Sequence, residues 1–212
     1  MHSDFDIHPF TAKAKRLFDI AVSLTTLLLA SPALLVIALA IKLTSSGPIF
    51  FKQLRIGRAL PSHTELFEII KFRTMINDTE EATGATWAGK DDDRITYVGN
   101  FLRNTRLDGL PQLFNVLKGD MSIIGSRPER PGFYQRLEMA IPFFAERTYG
   151  VRPGITGLAQ VNQGYDICIE DMRNKISFDH RYALALGNPF DWIIMDLSII
   201  WCTFVIMLMG RG

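Results

Sequence analysis

Residues 103–120 read RNTRLDGLPQLFNVLKGD, and they predict a charged turn followed by a short amphipathic helix. Four apolar residues recur at helical spacing: Leu110, Leu113, Phe114 and Leu117. Pro111 suits the first turn of that helix, because the N–H that it lacks would have no partner there. Gly119 is placed to end the helix. We therefore predict a helix that begins near Leu110 and ends at Gly119.

Asp108 lies just ahead of this predicted helix, and its carboxylate has two interpretations. As a helix cap it would accept hydrogen bonds from unpaired amides, a role for which Asp is preferred. As a nucleophile in an anion-binding site it would lie beside Arg103 and Arg106. A helix over 96–104 would deliver those arginines, with three apolar residues facing inward: Val98, Phe101 and Leu102.

The charge balance excludes a protein that binds nucleic acid through a large positive charge. Among 212 residues, 23 are Lys or Arg and 22 are Asp or Glu, which gives a formal net charge of +1. Hydrophobic residues make up 48% of the chain, which is enough for a packed core. The length suits one domain, or one domain with a membrane element.

A long apolar segment runs from Ile20 to Ile41 without a charged residue. A helix of about 20 apolar residues is long enough to span a bilayer. Ser31 and Pro32 fall in its middle, where proline removes a backbone hydrogen bond and kinks or breaks a helix. Basic residues flank both ends: Lys13, Lys15 and Arg16 before the segment, and Lys42, Lys52 and Arg55 after it. The positive-inside tendency draws both flanks to the cytoplasmic face.

These features favour a re-entrant helix that enters one leaflet, bends at Ser31 and Pro32, and returns to the same face. A straight span with a proline kink is an alternative, because membrane helices tolerate proline. A signal peptide is a second alternative, although the apolar run is too long for one and lacks a clean cleavage site.

Two short strands are predicted in the middle of the chain, at Ile49–Ile56 and Glu65–Arg73, with a turn over 57–64. Lys71 and Arg73 are two residues apart, so they fall on the same face of the second strand. That face is therefore basic.

A third short strand is expected at Leu158–Val161, and a helix at Ile169–Ala185. The helix is rich in charged residues, most of which we interpret as a solvent-exposed face: Glu170, Asp171, Arg173, Lys175, Asp179 and Arg181.

The C-terminal segment 190–209 is strongly apolar, but Asp191 and Asp196 interrupt its first half. Its uncharged part is short for a span, which favours an interfacial helix over a second membrane segment. Trp192 and Trp201 suit a position at the lipid headgroups.

Several blocks of the sequence now match one family in a single order. They are KFRTM at 71–75, RNTRLD at 103–108, LPQLFNVLKGDMS at 110–122, GSRP at 125–128, VRPGITG at 151–157 and AQVN at 159–162. Together with the basic N-terminus and the Ser-Pro interrupted apolar segment, they resemble the bacterial sugar transferases known as small monotopic phosphoglycosyl transferases. The resemblance covers the chain from about Lys13 to Met209.

The resemblance implies transfer of a sugar 1-phosphate from a UDP-sugar to polyprenyl (undecaprenyl) phosphate, with release of UMP. This is the first membrane step in the synthesis of exopolysaccharides, O-antigens and other glycoconjugates. It implies a covalent phosphosugar on Asp108, which is also the expected ligand of a Mg²⁺ cofactor. Because a carboxylate must approach a negatively charged pyrophosphate, cationic groups are needed nearby. Arg103 and Arg127 are the first candidates to bind the phosphates, and Lys71 and Arg73 follow.

The sequence departs from the family pattern at Gly109, where the family has a Glu that forms an acidic dyad with the preceding Asp. A positioned acid or base contributes about 10²–10⁴ in rate. The alternative function is therefore a catalytically impaired relative that binds donor or lipid, or that organises an assembly complex. Asp120 and Glu129 are carboxylates that could take over the missing role. A milder departure is Ser126, where the family tends to have Pro.

We thus expect a mixed α/β protein with a re-entrant membrane helix, a small helical catalytic domain with short strands, and interfacial amphipathic helices. Residues 1–47 form the basic N-terminus and re-entrant helix, and residues 48–212 the membrane-associated catalytic domain. The expected location is the bacterial cytoplasmic membrane, with both termini on the cytoplasmic side. Expected partners are the UDP-sugar, polyprenyl phosphate and membrane lipids, with no nucleic acid. Residues 127–131 weakly favour a hexose 1-phosphate, and a homodimer is one option for the oligomeric state.

Overall fold

A computed structural model describes residues 7–76, 94–142, 144–163 and 169–209. The fold is mixed α/β, as predicted. In chain order the elements are α1 (Pro9–Thr44), β1 (Phe50–Ala59), β2 (Thr64–Phe72), α2 (Tyr97–Asn104), a 3₁₀ turn (Leu107–Gly109), α3 (Gln112–Lys118), β3 (Ser122–Ile124), α4 (Pro131–Ala140), a 3₁₀ turn (Ala145–Thr148), β4 (Gly154–Thr156), α5 (Leu158–Asn162), α6 (Ile169–Ala185) and α7 (Pro189–Leu208). The predicted division after residue 47 falls between α1 and β1.

Helix α1 continues through Ser31 and Pro32, so the predicted break does not interrupt its helical structure. Proline cannot donate to the carbonyl four residues earlier, which here belongs to Leu28. The Ser31 hydroxyl donates to that carbonyl instead, at 2.8 Å. This local replacement of the lost bond explains how the helix tolerates a proline in its middle.

Two helices, Pro9–Thr44 and Pro189–Met207, are long and apolar enough to cross a membrane by length and composition. Between the contacts at its two ends, α1 exposes large apolar side chains: Leu24, Leu28, Leu29, Leu35 and Val36. Such a surface is typical of a helix that is covered by lipid.

Strands β1 and β2 form the predicted antiparallel hairpin. Phe50 pairs with Phe72 at its open end, and Ile56 pairs with Leu66 near the turn. The rings of Phe50 and Phe72 stack with centroids 5.6 Å apart. This pairing fixes the end of β2, which carries Lys71.

The segment from α2 to α3 departs from the prediction in two ways. Phe101 was expected to face inward, but it is 58% exposed, whereas Leu102 is buried. Asp108 does not cap α3, because it lies in the 3₁₀ turn and Pro111 is the residue that immediately precedes the helix. Arg106 adopts a left-handed backbone (φ 61°), and this reversal inserts the extra turn before the helix can start.

Gly119 ends α3 in a left-handed conformation (φ 101°), as predicted. Its N–H donates to the carbonyls of Asn115 and Val116. The Asn115 side chain then joins α3 to β2, since its Nδ2 donates to the Glu68 carbonyl and its Oδ1 accepts from Ile70 N.

Strands β3 and β4 pair in parallel, and the predicted strand at Leu158–Val161 is wrong because these residues belong to helix α5. The strand lies earlier, at Gly154–Thr156, where it finds β3 as a partner. The backbone at Gly125 lies very close to the segment 152–154. A Cβ on Gly125 would be 2.2 Å from the Arg152 carbonyl oxygen and 2.8 Å from Gly154 N. Glycine is required here by close backbone approach.

Helix α6 has the bounds predicted from the sequence, but its charged residues are not all exposed. Lys175 and Asp179 are buried, and Asp179 binds Arg147 at 2.9 Å. Trp192 was expected at the headgroups, yet it is buried and donates from Nε1 to Asp196 Oδ2 at 2.7 Å. Trp201 remains 67% exposed on the apolar face of α7.

A buried polar network joins α1 to the C-terminal helices. Asp196 of α7 accepts from the Lys15 ammonium of α1 at 3.1 Å and from the Tyr182 hydroxyl of α6 at 2.9 Å. One turn further along α1, Asp19 accepts from Ser122 Oγ and Ile123 N of β3. The N-terminal part of α1 is therefore packed into the protein core.

Gly125→Ala should lower the apparent melting temperature by about 2–12 °C, equivalent to about 1–3 kcal/mol, because the new Cβ meets backbone that cannot move aside. Thermal unfolding in detergent or nanodiscs measures this change. Gly109→Ala is the matched control, since its Cβ meets only the amide end of the Gln112 side chain. Equal melting temperatures for the two variants would contradict the close approach of β3 and β4.

Candidate active site

Asp108 lies in the 3₁₀ turn between α2 and α3, with its side chain 18% exposed. The preceding residue, Leu107, packs against the cluster of Ile37, Ile41, Phe72 and Leu102. Two of those residues belong to the C-terminal part of α1. The turn is thus held against the apolar helix while the carboxylate remains accessible.

Lys71, at the end of β2, is the cation paired with Asp108. Its Nζ lies 3.9 Å from Asp108 Oδ2, and its side chain is 28% exposed. Burial lowers the pKa of Lys71 to about 8, and the Asp108 carboxylate opposes the shift. The guanidinium groups of Arg127, Arg55 and Arg103 lower this pKa further.

The structure therefore brings four of the predicted site residues together: Asp108, Lys71, Arg103 and Arg127. Arg55 was assigned only to the basic flank of the membrane segment, yet it belongs to the same group of charges. Strand alternation offered a signal, because Arg55 pairs with Phe67 and therefore shares a hairpin face with Lys71. We call Lys71, Arg55, Arg103 and Arg127 the cationic cluster.

Arg73, the remaining predicted binding residue, is engaged elsewhere. Its guanidinium is buried and donates to the carbonyls of Ser45 and Ser46 at 2.9 and 2.7 Å. It also donates to Ser45 Oγ. These bonds hold the C-terminal end of α1, where helix carbonyls lack partners.

Gly109 leaves space beside Asp108 that a larger residue can enter. A Cβ on Gly109 would lie 2.8 Å from Gln112 Nε2, the far end of a flexible side chain. The backbone of Gly109 is not in the left-handed region. A larger residue at this position therefore requires the end of the buried Gln112 side chain to move aside.

The two carboxylates considered as replacements have partners of their own. Asp120 Oδ2 lies 3.1 Å from the Lys118 ammonium and accepts from Asn115 Nδ2. Glu129 lies 3.8 Å from Arg147. Each is thus occupied by a contact outside the cationic cluster.

A magnesium ion fits this site only together with a phosphate ligand. Within the described residues, no group of three or more His, Cys, Asp or Glu side chains is arranged to hold a metal. Mg²⁺ commonly binds one or two carboxylates and completes its coordination with substrate phosphates and water. Asp108 can supply the single carboxylate, and a diphosphate can supply the oxygens that the protein lacks.

The geometry defines an anion-binding site that contains one carboxylate and lies beside a helix long enough to enter a membrane. Lys71 lies beside Asp108, and the charges of three arginines act on Lys71, an arrangement that suits a ligand with several negative charges, such as a diphosphate. A carboxylate directed at bound phosphate is also a competent nucleophile for covalent catalysis.

Comparison with known proteins identifies the family. The model of the bacterial sugar transferases matches residues 10–210, and the chain belongs to this family. The resemblance deduced from the sequence motifs is therefore confirmed.

Three similar proteins illustrate the range of the family. A UDP-N-acetylgalactosamine-undecaprenyl-phosphate N-acetylgalactosaminephosphotransferase of Aeromonas hydrophila is 42% identical over 204 residues, which cover 96% of this chain and 46% of that protein. A UDP-glucose:undecaprenyl-phosphate glucose-1-phosphate transferase of Klebsiella pneumoniae is 42% identical over 194 residues, 89% of this chain and 39% of that protein. The exopolysaccharide production protein PSS of Rhizobium leguminosarum bv. phaseoli is 41% identical over 204 residues, 93% of this chain and 97% of that protein. The chain thus spans less than half the length of the first two relatives.

UDP should bind more weakly as the pH rises above about 8, because Lys71 loses its proton there and the cationic cluster loses one charge. Lys71→Arg keeps its charge at every pH used and should move this decline beyond pH 9.5. Isothermal titration calorimetry from pH 6.5 to 9.5 measures both curves. The same decline in both proteins would show that Lys71 is not the titrating group.

Proposed function

We propose that this chain transfers a sugar 1-phosphate from a UDP-sugar to undecaprenyl phosphate and releases UMP, as a phosphoglycosyl transferase. The observation that carries the proposal is the position of Asp108, 3.9 Å from Lys71 and within the cationic cluster. The activities for which the A. hydrophila and K. pneumoniae relatives are named support it.

In the first step an Asp108 oxygen attacks the phosphorus that carries the sugar. A bond forms between phosphorus and the Asp108 oxygen, the bond between the two phosphates breaks, and UMP leaves with the bridging oxygen. In the second step an oxygen of the lipid phosphate attacks the same phosphorus, and Asp108 leaves as a free carboxylate. The product is a lipid-linked diphosphate sugar.

The cationic cluster offsets the repulsion between the attacking carboxylate and the phosphates. Guanidinium groups can bind two phosphate oxygens at once, which orients the diphosphate as well as stabilising its charge. Lys71 is close enough to hold the carboxylate in position and to contact a phosphate that approaches it. Asp108 and the donor phosphates would hold a bound Mg²⁺. The ion would supply further positive charge to offset the negative charge that develops on the leaving phosphate.

The proposal includes a re-entrant α1 in the bacterial cytoplasmic membrane, with the catalytic domain and both termini on the cytoplasmic side. Both ends of α1 contact the same core, through Lys15 with Asp196 and through Ile37 and Ile41 with Phe72. A straight span would place its ends on opposite sides of the bilayer, where one core could not contact both. The arrangement supports the re-entrant topology, in which Asp108 would lie near the headgroups.

The sugar is proposed to be a hexose or an N-acetylhexosamine. Relatives with the same 42% identity are named for N-acetylgalactosamine phosphate and for glucose 1-phosphate transfer, so overall similarity does not separate these donors. The proposal places the product in exopolysaccharide or glycoconjugate synthesis. Membrane lipids are proposed partners of the chain, and a homodimer is one option for its oligomeric state.

The alternative, an impaired relative that only binds donor or lipid, rests on Gly109 alone. The names of the similar proteins give it no support, since they describe transferases. The two functions differ in one measurable product, UMP.

Asp108→Asn should reduce UMP release by roughly 10³-fold or more, because the amide is a poor nucleophile. The assay supplies UDP-glucose, UDP-galactose or UDP-N-acetylgalactosamine with Mg²⁺ and undecaprenyl phosphate in detergent. Without the acceptor, intact-protein mass spectrometry should detect the phosphosugar adduct on the unaltered protein and not on the variant. Asp120→Asn is the matched control and should keep most of the activity. Equal background release by the unaltered protein and Asp108→Asn would refute the transferase.

Gly109→Glu should improve Mg²⁺ binding at the site and raise the rate of UMP release. It adds a second carboxylate beside Asp108, where the end of the Gln112 side chain must move aside. We expect a lower Mg²⁺ concentration for half-maximal UMP release and an increase in rate of about tenfold or more. Gly109→Gln, similar in size but uncharged, is the control. If both variants behave alike, then charge at this position does not explain the effect.

A further inference from the structure

The loop that carries Arg127 has four consecutive carbonyl groups, each bound by a different donor. Ser126 O accepts from Gly154 N at 2.8 Å, and Glu129 O accepts from Ile56 N at 2.9 Å. Pro128 O accepts from Arg55 Nη1 at 3.1 Å. The fourth carbonyl, that of Arg127 itself, accepts from Arg147 Nη2 at 3.2 Å. The loop backbone is thus restrained at Arg127 and on both sides of it. The side chain of Arg127 belongs to the cationic cluster.

Arg147 differs from the other three donors because its own orientation is set by a buried carboxylate. Its Nη1 donates to Asp179 Oδ2 at 2.9 Å, and both residues are less than 5% exposed. Its guanidinium also lies over the Phe144 ring, 4.5 Å from the centroid. Asp179 belongs to α6 and Arg147 to the second 3₁₀ turn, so the pair ties the C-terminal helices to the Arg127 loop.

A buried ion pair contributes little net stability compared with well-packed apolar residues, because desolvation of both charges is costly. What this pair provides is a guanidinium in one fixed orientation, with one nitrogen on Asp179 and the other on the Arg127 carbonyl. A lysine could keep the charge but could not form both bonds in this planar geometry.

We propose that Arg147 and Asp179 are positioning residues for donor binding, which act by holding the backbone of Arg127 so that its guanidinium reaches the phosphates. The inference rests on the proposed function, in which Arg127 binds the donor diphosphate. Arg147 itself does not contact the donor. Its effect on the donor is transmitted through the loop backbone at Arg127.

A double-mutant cycle tests this transmission, with UDP binding by calorimetry and the KM for UDP-glucose as two readouts. Arg147→Lys should raise the dissociation constant of UDP and the KM for the donor by roughly three- to tenfold, whereas the KM for undecaprenyl phosphate stays within twofold. Asp179→Asn should have the same signature. In the Arg127→Gln background, each change should add less than twofold, because the residue through which the pair acts no longer binds phosphate.

If Arg147 and Asp179 had only a structural role, their variants would change UDP binding equally in both backgrounds. A control variant should show this behaviour. Asp196→Asn removes a carboxylate that is equally buried and lies in the network of Lys15 and Tyr182. It should lower the apparent melting temperature, with effects on UDP binding that are the same in both backgrounds. If Arg147→Lys and Asp179→Asn behave like this control, with equal fold-changes in both backgrounds, the proposal is wrong.

The two readouts separate the positioning role from the transferase itself. If the unaltered protein binds UDP but releases no UMP, the proposed function fails, and the coupling in UDP binding still supports or refutes the positioning role. If the unaltered protein does not bind UDP at all, both proposals are overturned. Melting temperatures are measured for every variant, and where Arg147→Lys fails to fold, Asp179→Asn decides the outcome.

Discussion

The hydrogen bonds that fix α1 to the soluble core are the contacts on which the rest of the molecule depends. Near its start, Arg16 donates to the carbonyls of Val116 and Leu117 at the end of α3. At its other end, Arg73 donates to the carbonyls of Ser45 and Ser46. Arg16 thus binds the last turn of α3, and Arg73 binds the two residues that follow α1. An apolar helix of 36 residues is thereby held at two distant points.

This attachment gives the Asp108 turn its position relative to the membrane. The turn packs on the C-terminal part of α1, and the helix that follows the turn is bound by Arg16 from the N-terminal part. In the proposed function, a water-soluble donor would reach the carboxylate from one side, and a lipid phosphate would lie near the same depth as the apolar helix. Arg73, which the sequence suggested as a phosphate ligand, serves this attachment instead.

Much of the fold follows from sequence patterns because local spacing determines it. Alternation located the hairpin, glycine chemistry located the end of α3, and apolar periodicity located α6. The errors arise where a distant partner decides the outcome. Trp192 and Asp179 are buried because Asp196 and Arg147 bind them. The strand at 154–156 exists because β3 lies beside it.

The same distinction applies to the candidate site. The sequence blocks shared with the family suggested Asp108, Arg103, Arg127 and Lys71 as candidate site residues, because each lies within one of those blocks. It missed Arg55, whose membership in the cluster depends on the register of β1 against β2. The helix cap, one of the two interpretations of Asp108, does not hold, and the sequence gives no sign that Arg106 adopts the left-handed backbone that separates Asp108 from α3.

Gly109 changes the charge balance of the site more than its shape. With one carboxylate beside the cationic cluster, the described residues carry a local excess of positive charge, which adds to burial, the main cause, in lowering the pKa of Lys71. A diphosphate removes that excess, so the ligand itself supplies the charge that the site lacks. A second carboxylate would neutralise part of the cluster and would then need a metal ion to restore attraction for the donor. In the proposed transferase, a glycine at this position would leave the binding of phosphate more to the lysine and the arginines than to a metal.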